Sequence, residues 1–300
     1  MAELLCRIIP QPGVAMDRRS FLSTLGVAAA AQIGCASVGQ PAVTRSRRLA
    51  RVGLQLYSLR DDARRDLERT LADIATAGYR DVEMLGSFNN FGMAPAQVRK
   101  VLERNGLRAP STHVSGTALD DLERQLDDAQ ALGHQHLIVA SLPIKGTPTL
   151  DDYRRWADRL NDAGRRARTR DIWVGFHNHA GDFTLVDGMV PYDLLIERTD
   201  PSFVRMQLDT GNLAMASRDP LDYIRRFGNR YWSFHIKDVP QLGAKNDTDL
   251  GKGVLDFRRL LASIDDIDRK FLFVEQETYP TGTPLESVTR GYAYLSKLEF

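Results

Sequence analysis

From Arg51 to the C-terminus the chain alternates a short β-branched or aromatic run with a charged amphipathic stretch, and it does so eight times. The runs are Val52–Tyr57, Asp81–Leu85, Arg108–His113, His136–Ala140, Ile172–His177, Val204–Asp209, Trp232–Ile236 and Phe271–Glu275. Their length and composition predict strands. The stretches between them predict helices over Asp62–Thr76, Pro95–Asn105, Ala118–Leu132, Leu150–Thr169, Tyr192–Glu197, Pro220–Phe227, Asp256–Ser263 and Leu285–Lys297. Gly78, Gly106, Gly133 and Gly228 stand where helices are expected to stop. Eight strand-helix units in about 250 residues predict a single (β/α)₈ barrel over residues 51–300. A doubly wound sheet is the alternative, but it calls for a Gly-rich phosphate turn after the first strand. Gln55-Leu56-Tyr57-Ser58-Leu59-Arg60 has none.

Barrels of this kind place their chemistry at the C-terminal ends of the strands. In order, those ends carry Gln55 and Tyr57, Glu83, His113, Ser141, His177 and His179, Asp209, His235 and Lys237, then Glu275 and Glu277. Ionisable groups at the ends of apolar strands are costly to desolvate unless paired or bound to a cation. In Phe176-His177-Asn178-His179, strand periodicity turns both histidines to one face. His177, Asp209, His235 and Glu275 come from four consecutive strands, spaced about 4.8 Å apart, so they can converge on one ion. A mixed imidazole and carboxylate set suits one divalent cation among Mn²⁺, Mg²⁺, Co²⁺, Fe²⁺ and Zn²⁺.

The balance of 40 basic and 39 acidic residues gives a net charge of +1 and no electrostatic footprint for nucleic acid. A small neutral ligand is the expected partner. Cys6 and Cys35 both precede the barrel, so it has no internal disulfide. Residues 1–35 read as a targeting segment: Asp17-Arg18-Arg19-Ser20-Phe21-Leu22 leads an Ala-rich apolar run, as in a twin-arginine signal. Met16 offers an alternative start just before it, and Gly34-Cys35 an alternative processing site with a lipid anchor. Residues 36–50 read as a linker. The expectation is export by the twin-arginine machinery to the periplasm.

The order His177-Asn178-His179, Leu208-Asp209, Phe234-His235-Ile236-Lys237-Asp238 and Val274-Glu275 resembles the sugar phosphate isomerase/epimerase family of xylose isomerase-like TIM barrels. Gly53-Leu54-Gln55-Leu56-Tyr57-Ser58, Gly78-Tyr79-Arg80-Asp81-Val82-Glu83 and Gly251-Lys252-Gly253-Val254-Leu255-Asp256-Phe257 are similar to that family as well. The resemblance implies a divalent metal held by Glu, Asp, His and Glu at the ends of the fifth to eighth strands, and action on sugars, keto sugars or polyols. Asp209, His235 and Glu275 match, whereas His177 stands where many members have Glu. It also implies Glu275 as ligand and base, Lys237 as acid or oxyanion partner, and His179, His113, Glu83 and Glu277 as substrate-binding side chains.

The expected activity is that of a metal-dependent isomerase or epimerase that removes a proton next to a carbonyl and forms an enediolate. One carboxylate base in place of two leaves open a lyase or hydrolase acting on 3-keto-glycosides. A non-catalytic sugar-binding barrel is the reading of a different class. The segment Gly86-Ser87-Phe88-Asn89-Asn90-Phe91-Gly92 is a candidate lid with aromatic residues for a sugar ring.

Overall fold

The computed structural model describes residues 46–300. The expected signal, Cys6, Cys35 and the linker up to residue 45 lie outside the described residues. Eight parallel strands close into a barrel in sequence order, β1 Gly53–Gln55, β2 Asp81–Leu85, β3 Arg108–Ser115, β4 His136–Ser141, β5 Trp173–His177, β6 Val204–Asp209, β7 Tyr231–Ile236 and β8 Phe271–Val274, with β8 paired back to β1. The helices are α1 Arg60–Arg65, α2 Leu67–Ala77, α3 Pro95–Arg104, α4 Leu122–Leu132, α5 Leu150–Ala167, α6 Pro191–Arg198, α7 Thr210–Met215, α8 Pro220–Phe227, α9 Phe257–Ala262 and α10 Pro284–Leu295.

Where the elements depart from the sequence pattern, a local cause is visible. The helix expected over Asp62–Thr76 is broken at Asp66, which is extended and caps α2 by accepting from the Arg69 N–H at 2.9 Å. β1 stops at Gln55 because the Gln55 side chain accepts from the Tyr57 N–H and starts a 3₁₀ turn over Leu56–Leu59. Residues 118–121 are likewise 3₁₀, so α4 starts at Leu122. Gly78 and Gly133 take the left-handed conformation that ends a helix, whereas Gly228 stays right-handed and leads into a 3₁₀ turn. The extra helix α7 is capped by Asp209 itself.

Outward-facing strand residues such as Val82, Met84, Phe176, Met206, Leu208 and Phe234 bury against Leu71, Ile74, Leu126, Leu160 and Ile196 of the helices. Each fully buried side chain of this size contributes about 1.5–3 kcal/mol. The barrel interior is different. At its C-terminal end it holds Gln55, Glu83, Ser111, His113, His177, Gln207, Asp209, Ser233 and His235, all buried. At its N-terminal end the Arg205 guanidinium lies 3.6 Å from the ring centroids of both Trp173 and Trp232, with Nη1 donating to His136 Nε2 at 2.8 Å.

Candidate functional site

One ligand atom each from His177, Asp209, His235 and Glu275 fall within 4.8 Å of one another, and all four residues are buried. The parallel register produces this: His177 pairs with Gln207 of β6, two residues before Asp209, and Asp209 pairs with His235 of β7. Asp209 is held from two sides. Its Oδ1 accepts from the Asn212 N–H and its Oδ2 from Asn212 Nδ2, both at 2.8 Å. Its own N–H donates to Asn178 Oδ1 at 2.9 Å. Asn178 therefore fixes the strand end from behind, while His177 faces the cluster.

Lys237 enters the same cluster. Its Nζ lies 2.8 Å from Glu275 Oε2, 3.1 Å from Asp209 Oδ2 and 2.6 Å from Glu277 Oε1. Gly211 makes room for its stem, since a Cβ there would stand 2.5 Å from Lys237 Cγ. Burial alone would lower the ammonium pKa, but the carboxylates of Asp209, Glu275 and Glu277 raise it well above the usual lysine value. Burial, with the charge of Glu275, raises Asp209 despite Lys237.

Beneath the cluster lies a hydrogen-bonded layer. Glu83 is fully buried and accepts from Gln55 Nε2 at 2.8 Å, Ser111 Oγ at 2.6 Å, Gln207 Nε2 at 2.9 Å and His235 Nε2. Burial would raise its carboxyl, yet His113 and His235 beside it hold it well below the usual carboxylate range. Glu83 and Glu275 on either side of His235 outweigh its burial and push its imidazole up to about 10. His177 goes the other way, driven well down by burial and by the neighbouring His235.

His113, His177, His179, Lys237, Glu275 and Glu277 line one cavity of about 360 Å³, walled on its other side by Tyr57 and Phe88. The expected site residues thus meet at one place, with Asp209, His235 and Glu83 lying beneath the cavity lining. Glu83 does not reach the cavity, because its register with Gln55 and Ser111 sets it one layer below the rim. Its carboxylate contacts His235 instead of a ligand. Phe88 stacks on Phe91 at 5.5 Å between centroids, and Asn89, Asn90 and Phe91 all have positive φ, a left-handed run that places this aromatic wall. Gln207 and Asn212 are supporting residues that no motif announced, and Asn178, inside the His177-Asn178-His179 motif, supports from the opposite face of its strand. Gln207 shares the inward parity of Asp209, and that periodicity is the signal that reveals it.

The donor set fits a divalent cation. Two buried carboxylates and two imidazoles converge, and each imidazole has its other nitrogen fixed, His177 Nδ1 on Gln207 Oε1 at 3.0 Å and His235 Nε2 on Glu83. His177 Nε2 faces Asp209 Oδ2 at 3.8 Å and His235 Nδ1 faces Glu275 Oε2 at 3.0 Å.

The sequence model of the xylose isomerase-like TIM barrel family matches residues 27–298. The chain belongs to the xylose isomerase-like TIM barrel family. Within it, an inosose dehydratase of Lacticaseibacillus casei is 26% identical over 267 residues, which cover 76% of this chain and 88% of the relative. A sugar phosphate isomerase/epimerase structure from Parabacteroides distasonis is 26% identical, with a TM-score of 0.72 over 83% of this chain and 98% of its own. The IOLI protein, whose crystal structure carries a bound zinc atom, shares the fold at 11% identity, with a TM-score of 0.64 over 82% of this chain and 98% of its own. The structure of an L-ribulose 3-epimerase shares the fold at 17% identity, with a TM-score of 0.64 over 82% of this chain and 93% of its own.

Proposed function

We propose that this chain is a divalent-metal-dependent enzyme that removes a proton next to the carbonyl of a neutral cyclic polyhydroxy ketone, with elimination of water as the outcome. The observation that carries this reading is the placement of Glu275 and Lys237, a carboxylate and an ammonium 2.8 Å apart at the edge of one cavity. The dehydratase relatives support the same outcome. His177, Asp209, His235 and Glu275 would hold the ion, which when bound polarises the carbonyl and offsets the negative charge formed on its oxygen.

Glu275 takes the proton from the carbon beside the carbonyl. Lys237 gives a proton to the hydroxyl on the next carbon as its C–O bond breaks, so the ketone loses one water and gains a C=C bond. The proton on Glu275 then passes across 2.8 Å to Lys237, restoring both groups. His113 and His179 bind hydroxyls, Glu277 holds the Lys237 ammonium, and Tyr57 and Phe88 cover the apolar face of the ring. Isomerisation is the second reading. It is favoured by the same pair, which can return a proton to a neighbouring carbon on the face from which it came. Two-sided epimerisation would need a second carboxylate, and His177 stands in that place.

Incubation of the metal-loaded protein with keto-inositols and 3-keto-glycosides in D₂O tests the reading. A product lacking one water, with deuterium at the carbon that lost its hydroxyl once the enol ketonises, supports elimination; deuterium next to the carbonyl with no water lost supports isomerisation. No exchange across the panel in protein with bound metal would overturn both. Export is part of the proposal, supported by Arg18-Arg19 ahead of Phe21-Leu22. Arg18→Lys with Arg19→Lys is expected to trap the protein in the cytoplasm, and an unchanged periplasmic yield refutes it.

A further inference from the structure

Gln207 is fully buried, and four side chains meet on it. Its amide nitrogen donates to Glu83 Oε1 at 2.9 Å, to Glu83 Oε2 at 3.1 Å and to Ser233 Oγ at 3.1 Å. Its carbonyl oxygen lies 2.7 Å from His113 Nε2 and 3.0 Å from His177 Nδ1. Which end of the amide is nitrogen follows from Glu83. That carboxylate already takes hydrogen bonds from Gln55, Ser111 and His235, and it can only accept. Turning the amide over would set its oxygen against the carboxylate, two acceptors in a buried layer, at the cost of an unpaired polar contact.

With the NH₂ end pinned on Glu83, the oxygen facing the two rings can do nothing but accept. Both ring nitrogens beside it must therefore carry hydrogen. A neutral imidazole has one N–H, so the remaining nitrogen of each ring is left with its lone pair. For His177 that nitrogen is Nε2, the one directed at Asp209. For His113 it is Nδ1, which makes no hydrogen bond to any described residue and belongs to a ring lining the cavity. At His235, Glu83 receives Nε2–H, and Nδ1 stands 3.0 Å from Glu275 Oε2.

We infer that Gln207 is a positioning residue that sets the tautomers of His177 and His113. It makes His177 a ligand through Nε2 and gives His113 a free Nδ1 acceptor for a hydroxyl donated by the substrate. The ligand half rests on the metal reading above, whereas the tautomers do not. A single neutral amide thus couples the cation site to the hydroxyl-binding wall of the cavity.

The test is two-bond ¹H–¹⁵N correlation of ¹⁵N-histidine-labelled, metal-free protein at pH 8, with zinc titrations of the same samples. In wild type, the expected pattern is hydrogen on His177 Nδ1 and on His113 Nε2. Gln207→Leu should mix or invert these tautomers and weaken zinc binding by about 10–100-fold, the usual effect of losing such a support. Hydrogen on His177 Nε2 or His113 Nδ1 in wild type overturns the inference, and needs no variant to fold. Folded Gln207→Leu with wild-type tautomers and zinc affinity overturns it too. Correct tautomers in a wild-type protein that binds no zinc would leave the tautomer assignment standing and remove the metal reading.

Discussion

The two ends of the barrel interior solve the same problem, polar groups cut off from water, by opposite means. At the C-terminal end, hydrogen bonds satisfy Glu83, Gln207 and Asp209, and every bond has a direction that matters to the cluster above. At the N-terminal end, Arg205 lies between the faces of Trp173 and Trp232 with a single hydrogen bond, from Nη1 to His136 Nε2, and its Nε and His136 Nδ1 have no hydrogen-bond partner among the described residues. A π face holds a cation without fixing where its N–H groups point. Directional bonds are spent where geometry decides chemistry, and a non-directional stack suffices where only closure is needed.

The comparison predicts that substitutions at the two ends fail in different ways. The largest effect is at the upper end. Asp209→Ala should lower turnover by on the order of 10³-fold or more and abolish stoichiometric metal while the fold persists, because it removes a ligand and relieves a buried charge. Equal metal content by elemental analysis in variant and wild type would break the distinction. At the lower end, Arg205→Met should cost about 1–3 kcal/mol in urea unfolding and leave kcat and metal content unchanged. A loss of activity in the folded variant would show that the two ends are coupled.

Acid sharpens the contrast further. Burial, together with the Arg205 charge, pushes His136 down to about 3 from an ordinary 6.5, and burial pushes His134 down to about 4. The unfolded chain therefore binds more protons than the folded one between those values and pH 6.5. Stability from these groups is complete above pH 6.5 and is lost as pH falls toward 4. His136→Asn is expected to flatten this slope in denaturant titrations run from pH 7 to 4.5, and an unaltered slope would remove His136 as its source. The smallest effect belongs to the rim: Phe88→Ala should raise KM by roughly threefold to tenfold through lost ring contact, with little change in kcat.

Much of this was readable from residue spacing. His177, Asp209, His235 and Glu275 stand at or just past the ends of consecutive strands, and a closed parallel register carries them to one point. Depth was harder to read. Glu83 and His113 both sit near strand ends, but pairing sets Glu83 beside Ser111 and His113 beside Leu85, one step higher. Only the register between strands distinguishes floor from wall. Gln207 escaped notice because an amide carries no charge to draw attention, although its parity with Asp209 placed it inside. Asp66 and Asp209 each cap a helix that periodicity alone could not separate from its neighbours, since the cap depends on a side chain bending back to the backbone.

The next residue after Lys237 has a bearing on how this barrel can be altered. Asp238 is buried and accepts backbone N–H groups from Val239, Gly251, Gly253 and Leu255 at 2.9–3.3 Å. A Cβ on Gly253 would stand 2.2 Å from Asp238 Oδ1. The long excursion between β7 and α9 is thus tied off at its neck, and Gly243 farther along it donates to the Ala214 carbonyl at the end of α7 at 2.9 Å. Lengthening at Gly251–Gly253 would therefore disturb the residue that follows Lys237 on the same backbone, so changes to this loop are expected to be felt at Lys237 itself.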